Sequence, residues 1–330
     1  MMGSVRRGLI GAALASAAGL GVGLPAAAQE PTTGEAAREA VAPHAGEPAR
    51  SSNPIDILAH IGDSRELELP VIGHVPLPRW EPVRIGGFSL DLSPTKHTVF
   101  MLLAALIVGF TFVLSARAIA RADARGRPST GFAGAMEATA LWIRQEVILP
   151  NVGPHGEGYS PYLLTLFFFI LTMNLLGLLP WSATATGNIA VTATLAVISF
   201  IVVEVSGMRA LGPKGYLQTI FYLPHGLPGG PAGAFLKVVL LAVMTPIEII
   251  GKLAKPFALA VRLFANMTAG HVLVLALIGL AFVFQSYAVG VSASILATGV
   301  MVLEVFVACL QAFVFTLLTA VFIGLIREAH

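Results

Sequence analysis

Charge is what this sequence has least of: 12% of its residues are Asp, Glu, Lys or Arg, against about 25% in an average soluble domain. With 56% hydrophobic residues and a mean hydropathy of +0.81, that scarcity excludes a soluble globular domain and points to a polytopic membrane protein. Cysteine is nearly missing too. Cys309 is the single one, which rules out an internal disulfide. No G-x-x-x-x-G-K-[ST], H-E-x-x-H or C-x-x-C pattern occurs, so no nucleotide or metal site is readable and no cofactor is expected. The net charge of +2 says little about partners; the bilayer is the expected surrounding, and no nucleic acid is expected.

What is present begins with an export signal. Arg6 and Arg7 precede a mild Gly/Ala-rich stretch, Leu9 to Leu24, and then Ala26-Ala27-Ala28. A basic region, an apolar region and an A-x-A site predict a cleaved signal peptide over 1–28; the stretch is short of the ~20 apolar residues that a span needs. Residues 29–95 form an exported segment. Its first part, 29–52, is rich in Ala, Pro, Glu and Ser and is expected to be disordered. Its second part alternates apolar pieces (Leu67–Ile72, Val83–Leu92) with Pro and Gly, which predicts a small hairpin at the membrane surface.

Membrane spans fill residues 96–330. The first three are expected at Thr98–Ala116, Pro161–Leu179 and Ile189–Val205. Arg117, Arg121, Arg125 and Arg127 follow the first, and Arg209 and Lys214 the third, whereas Pro180–Asn188 and Gln285–Ser292 hold no Lys or Arg. By the positive-inside rule the basic loops and the C-terminus are cytoplasmic and the N-terminal segment lies outside. Ala135–Leu149, with Trp142, Glu137, Arg144 and Glu146, reads as an amphipathic helix on the cytoplasmic interface. Two apolar runs, Phe235–Phe284 and Ala288–Ile326, are too long for upright spans: at 1.5 Å per residue they reach roughly 75 and 58 Å, and the hydrocarbon core is about 30 Å. They must break, as Pro246 and Pro256 permit in the first, or tilt steeply. The expected fold is an all-α membrane protein with about five crossing helices, an interfacial helix, and two long, steeply tilted helices at the end.

Arg262 is the only formal charge between Pro256 and Val283. An arginine at a helix centre costs roughly 2.5–3.5 kcal/mol on insertion scales and marks a functional site. It cannot shed its proton to escape. Ala254, Ala258, Arg262, Ala265 and Ala269 make one helical stripe, and small residues allow a close helix approach in lipid, within this chain or against another. Asn266 adds a polar group one turn on. Glu248, Lys255 and Arg262 repeat at seven, and Glu248 with Lys252 has the spacing of an i,i+4 pair.

Other polar groups lie further along. His271, about 180° around the helix from Arg262, titrates near neutrality when unperturbed. Glu304 and Gln311, seven apart, share a face of the last helix. A carboxylate between Met301 and Phe315 needs a partner or water, so His271 and Glu304 are expected to relay protons. Two functions fit: an ion pathway whose Arg262 faces a carboxylate on another subunit, or a secondary transporter whose Arg262 binds an anionic substrate. No internal repeat of the transporter kind is visible. No acid of this chain suits a closed site around Arg262. The first reading is favoured.

Pro246-Ile-Glu248 through Lys255-Pro256, followed by Arg262-Leu-Phe-Ala-Asn266-Met and Ala269-Gly270, resembles the signature of subunit a of F-type ATP synthases. Gln311-Ala-Phe313-Val-Phe315 resembles the last-helix motif of that family, and Met173-Asn174-Leu-Leu-Gly177-Leu-Leu-Pro180 and Thr186-Gly187-Asn188-Ile-Ala-Val-Thr192 its second- and third-span motifs. The resemblance covers about residues 95–330. It implies a stator subunit of a bacterial inner membrane that does no bond chemistry, partnered by a ring of c subunits and a b-subunit peripheral stalk. Protons would pass through two half-channels and a ring carboxylate facing Arg262. By the same resemblance Asn174, His271, Glu304 and Gln311 line the outer half-channel, with Asn266 beside the arginine, and Glu248 and Lys255 lie toward the inner one. His271 and Glu304 stand in the reverse order of the Glu/His pair in some bacterial members. Gly177 replaces an acid found in some members and Ala190 an Asn found in many.

Overall fold

A computed structural model of the chain describes residues 66–69, 73–78, 83–85, 88–90, 93–154, 156–179, 182, 184–221 and 230–328. The expected signal peptide and the expected disorder of 29–52 lie outside the described residues. Between them and the membrane domain are two short antiparallel hairpins. Strand β1 (Glu66–Leu69) pairs with β2 (Gly73–Pro76), Glu66 opposite Pro76, and β3 (Val83–Ile85) with β4 (Phe88–Leu90), Val83 opposite Leu90. Two hairpins therefore stand where one was expected, and strands β1 and β3 of the two apolar pieces do not pair with each other.

Among the described residues, everything after Thr95 belongs to a helix or lies next to one. The long helices are α1 (Lys96–Asp123), α3 (Ser160–Gly177), α4 (Ile189–Ile220), α5 (Pro231–Phe284) and α6 (Tyr287–Arg327), with α2 (Gly131–Trp142) between the first two. These five long helices are long and apolar enough to cross a membrane, so the chain is an all-α membrane protein. Their ends follow local chemistry. Pro161 occupies the first turn of α3, where its missing N–H goes unneeded. The Asn188 side chain caps α4 by accepting from the Ala190 N–H at 2.9 Å.

Gly212 interrupts α4 with φ 71°, a left-handed value suited to glycine, and Pro213 follows it. The break divides a long apolar rod from a short piece carrying Tyr216 and Thr219. By contrast, α5 runs unbroken through Pro246 and Pro256 for 54 residues, about 80 Å at 1.5 Å per residue. Of the two courses open to this run, a break or a long unbroken helix, the structure has the long helix. Pro246 is exposed and Pro256 partly so, so neither ring is forced against a packed neighbour.

Helix α6 organises the core. Ala308, Ala312, Ala320, Ile323 and Gly324 are buried on one side of it, and these mostly small side chains let α3 and α5 come close. Leu163, Ile170, Met173 and Leu263 fill the space between them. The amphipathic helix predicted over Ala135–Leu149 divides in two. No residue of α2 is buried, but a π-helical turn, Ile143–Ile148, and a last α-turn, Leu149–Val152, bury Ile143, Val147, Ile148 and Val152 in the core. Trp142 stacks on Phe313 of α6, ring centres 6.3 Å apart. At the end of α6, Arg327 donates to the Val152 and Pro154 carbonyls at 3.3 and 3.0 Å and lies over the Tyr159 ring.

Candidate functional site: an exposed arginine between two cavities

Helix α5 carries the site because two of its faces have different uses. Leu259, Ala260, Leu263, Met267 and Val274 are buried against the rest of the chain. Arg262 points about 120° away from that face. Ala254, Ala258, Arg262, Ala265, Asn266 and Ala269 are all exposed. The small-residue stripe is not used for packing inside this chain. Its exposure leaves a long, shallow, nearly side-chain-free surface with a single cation in it.

One cavity, about 270 Å³, lies toward the α5–α6 turn from Arg262. Asn174, Asn266, His271, Glu304 and Gln311 all line it, so residues from three helices meet that the sequence separates by up to 137 positions between Asn174 and Gln311. Asn174 is fully buried and satisfied: its Oδ1 accepts from the Thr186 hydroxyl at 2.8 Å, and its Nδ2 donates to the Ala308 carbonyl at 3.2 Å. Glu304 differs. Its Oε1 is buried with no hydrogen-bond partner in the structure, and its carboxyl group approaches Gly270 so closely that a β-carbon there would collide with it. Glycine at 270 thus leaves room for the carboxylate against α5, at the residue that precedes His271. Such an orphaned buried oxygen, in a mainly apolar cavity that also holds Asn174, Asn266, His271 and Gln311, fits a site for ordered water.

A second cavity, about 130 Å³, lies on the other side of Arg262. Ser199, Glu204, Thr219, Glu248, Lys252, Lys255, Thr319 and Phe322 are among its lining residues. Lys255 lies over the Phe322 ring, 5.1 Å from its centre. Lys252 does not serve the expected pair with Glu248; it reaches across to Glu204 on α4 at 3.5 Å. Glu204 and Tyr216 were not singled out by the sequence reading. The signal was available, since Glu204 ends a run of apolar residues as Glu304 interrupts one.

Arg262 lines neither cavity. On α5 the lower lining ends at Leu259 and the upper begins at Asn266, about 4.5 Å and 6 Å along the axis on either side of the arginine. Ala312, Phe315 and Thr316 of α6 are buried between the two linings. Gly177 has no room for an acid: a β-carbon would meet Thr184, whose hydroxyl donates to the Gly177 carbonyl at 3.1 Å. Ala190 carries no amide, and Asn188 nearby is committed to capping. Among the described residues no group of three or more His, Cys, Asp or Glu could hold a metal ion.

Comparison with known proteins matches this arrangement to one family. The family model described as ATP synthase A chain matches residues 98–324. ATP synthase subunit a of Chlorobium phaeobacteroides (strain BS1) is 45% identical over 275 residues, covering 83% of this chain and 76% of the relative. ATP synthase subunit a of Pelodictyon phaeoclathratiforme is 43% identical over 295 residues (89% and 81%), and that of Myxococcus xanthus 45% over 282 residues (79% and 88%). With a family match across the whole helical region and such relatives over four-fifths of its length, the chain belongs to the ATP synthase subunit a family.

Proposed function

We propose that the chain is the proton-conducting stator subunit of an F-type ATP synthase membrane sector in a bacterial inner membrane, with its N-terminus outside and its C-terminus in the cytoplasm. The observation that carries this reading is the exposed Arg262 standing between two cavities that do not join through it. A cation exposed on a membrane helix needs an anion, and the small-residue stripe lets that anion arrive on a partner helix. The partner is a ring of c subunits, each with a membrane carboxylate; a b-subunit stalk holds the chain against rotation.

Protons enter the cavity of Asn174, Asn266, His271, Glu304 and Gln311 and reach a ring carboxylate. The neutralised carboxyl then moves into lipid as the ring turns. On return it meets Arg262, whose permanent charge favours the ionised form. The released proton leaves through the cavity of Glu248 and Lys255. Arg262 also repels a proton that would pass straight between the cavities. The chain makes and breaks no covalent bond other than O–H and N–H, so ATP chemistry belongs to other subunits. A transporter site for an anion would enclose Arg262, and here it faces outward.

Arg262→Ala tests the reading. ATP-driven proton pumping in inverted membrane vesicles is expected to stop while the complex still assembles; coupled pumping by that variant would overturn the assignment.

A further inference from the structure

Glu204 has no role in the scheme above, yet it is the most heavily partnered carboxylate in the second cavity. Its Oε2 accepts a hydrogen bond from the Tyr216 hydroxyl and lies 3.5 Å from Lys252 Nζ. Lys252 in turn donates to the Thr219 hydroxyl at 3.4 Å and sits 4.6 Å from the centre of the Tyr216 ring. Both charged side chains are 12% exposed. Twelve residues of straight helix would put Tyr216 about 18 Å from Glu204. The Gly212–Pro213 break removes that separation and brings the phenol back to the carboxylate.

A pair of this kind is a poor staple, since apolar residues of similar volume commonly stabilise a packed interior as well or better. Its position suits another task. Glu204 lines a cavity of about 130 Å³, room for several waters. The titratable and charged groups that share this lining are Glu248, Lys252 and Lys255 from α5 and Glu204 itself from α4; Tyr216, on the short piece of α4 beyond Gly212, meets Glu204, and α6 adds Thr319 and Phe322, which do not titrate.

We propose that Glu204 is a proton-transfer carboxylate of the inner half-channel, with Lys252 and Tyr216 as positioning residues; this rests on the half-channel reading above. The step is a proton hop. An O–H bond of a hydrated proton in the cavity breaks as one forms on the free lone pairs of Glu204, and the reverse transfer passes the proton to water on the cytoplasmic side.

The test uses the complete ATP synthase in liposomes, with ATP-driven acidification measured across a range of pH. Glu204→Gln keeps the shape and the Tyr216 hydrogen bond but cannot carry the proton. Pumping is expected to fall about a hundredfold, the lower end of the range for a positioned proton-transfer group, with a changed pH profile. Glu204→Asp is expected to retain most of it. The double variant Glu204→Gln/Lys252→Gln removes both charges together, leaves no orphan, and should pump as slowly as the single one. Wild-type pumping with an unchanged pH profile in either variant would overturn the proposal. If neither assembles, Tyr216→Phe decides: a lower rate with a shifted profile supports it, and an unchanged profile overturns it. Arg262→Ala in the same liposomes separates the two failures. Should it still pump, the half-channel reading falls; should it stop while Glu204→Gln pumps normally, the Glu204 proposal alone falls.

Discussion

The carboxyl group of Glu304 occupies the space beside Gly270 that a β-carbon would fill. Two helices are joined here by the absence of a side chain on one and a buried, unpartnered oxygen on the other. The arrangement fixes where the acid of α6 stands relative to His271 of α5 and makes the pair sensitive to a single methyl group.

Gly270→Ala should therefore push Glu304 out of place. Overpacking of this kind costs about 1–3 kcal/mol, and the assembled complex is expected to melt at a lower temperature with proton flux reduced. Adding Glu304→Asp, which shortens the acid by one methylene, should return part of both. An unaltered melting temperature in Gly270→Ala would show that the contact is not tight in the working protein.

Coupling between His271 and Glu304 is measurable by a double-mutant cycle on proton flux. Side chains sharing one network typically couple by about 0.5–3 kcal/mol. The expected result is a His271→Ala/Glu304→Gln variant less impaired than the product of the single losses. Strict multiplicativity would separate the two residues into independent steps.

Asn174 makes a third prediction. Asn174→Ala strands the Thr186 hydroxyl, and an unsatisfied buried group costs about 1–3 kcal/mol. The complex should lose several degrees of thermal stability, whereas Asn174→Ala/Thr186→Val should lose less than the single effects predict. A differential scanning measurement on the purified complex decides it.

The exposed stripe can be filled. Ala265→Trp is expected to leave the chain inserted in the membrane while lowering recovery of the ring subunits with it and cutting ATP-driven pumping at least severalfold, because the partner helix loses its close approach. Normal co-purification and pumping would mean that the stripe faces only lipid.

The sequence made Arg262, its alanine stripe and the five long apolar runs legible because each depends on one helix period or one hydropathy window. Arg262 stood out since nothing nearby on its own helix could neutralise it. The Glu204–Lys252 contact was not legible in that way. It joins residues 48 positions apart on two helices, and the i,i+4 spacing offered Glu248 as a nearer false partner. The pairing of His271 with Glu304 was suggested by their chemistry, but Asn174 joined them only through the family resemblance, for no local pattern sets the packing of α3, α5 and α6. The length of α5 was legible from its apolar run, but whether Pro246 and Pro256 would kink it was not: proline permits a kink without requiring one.

The clasp formed by Arg327 has a mechanical meaning. Helix α6 lines both cavities and packs along α5, so any sideways push delivered at the arginine face passes into it. At its C-terminal end that load reaches a guanidinium gripping two carbonyls of the loop before α3, while Tyr287 at the opposite end is 96% exposed. The rod is clasped at its C-terminal end by Arg327 and joined to α5 at the other by the Gln285–Ser286 turn. On the proposed reading, a load from a turning ring would therefore shift α6 least beside the cavity that holds Lys252.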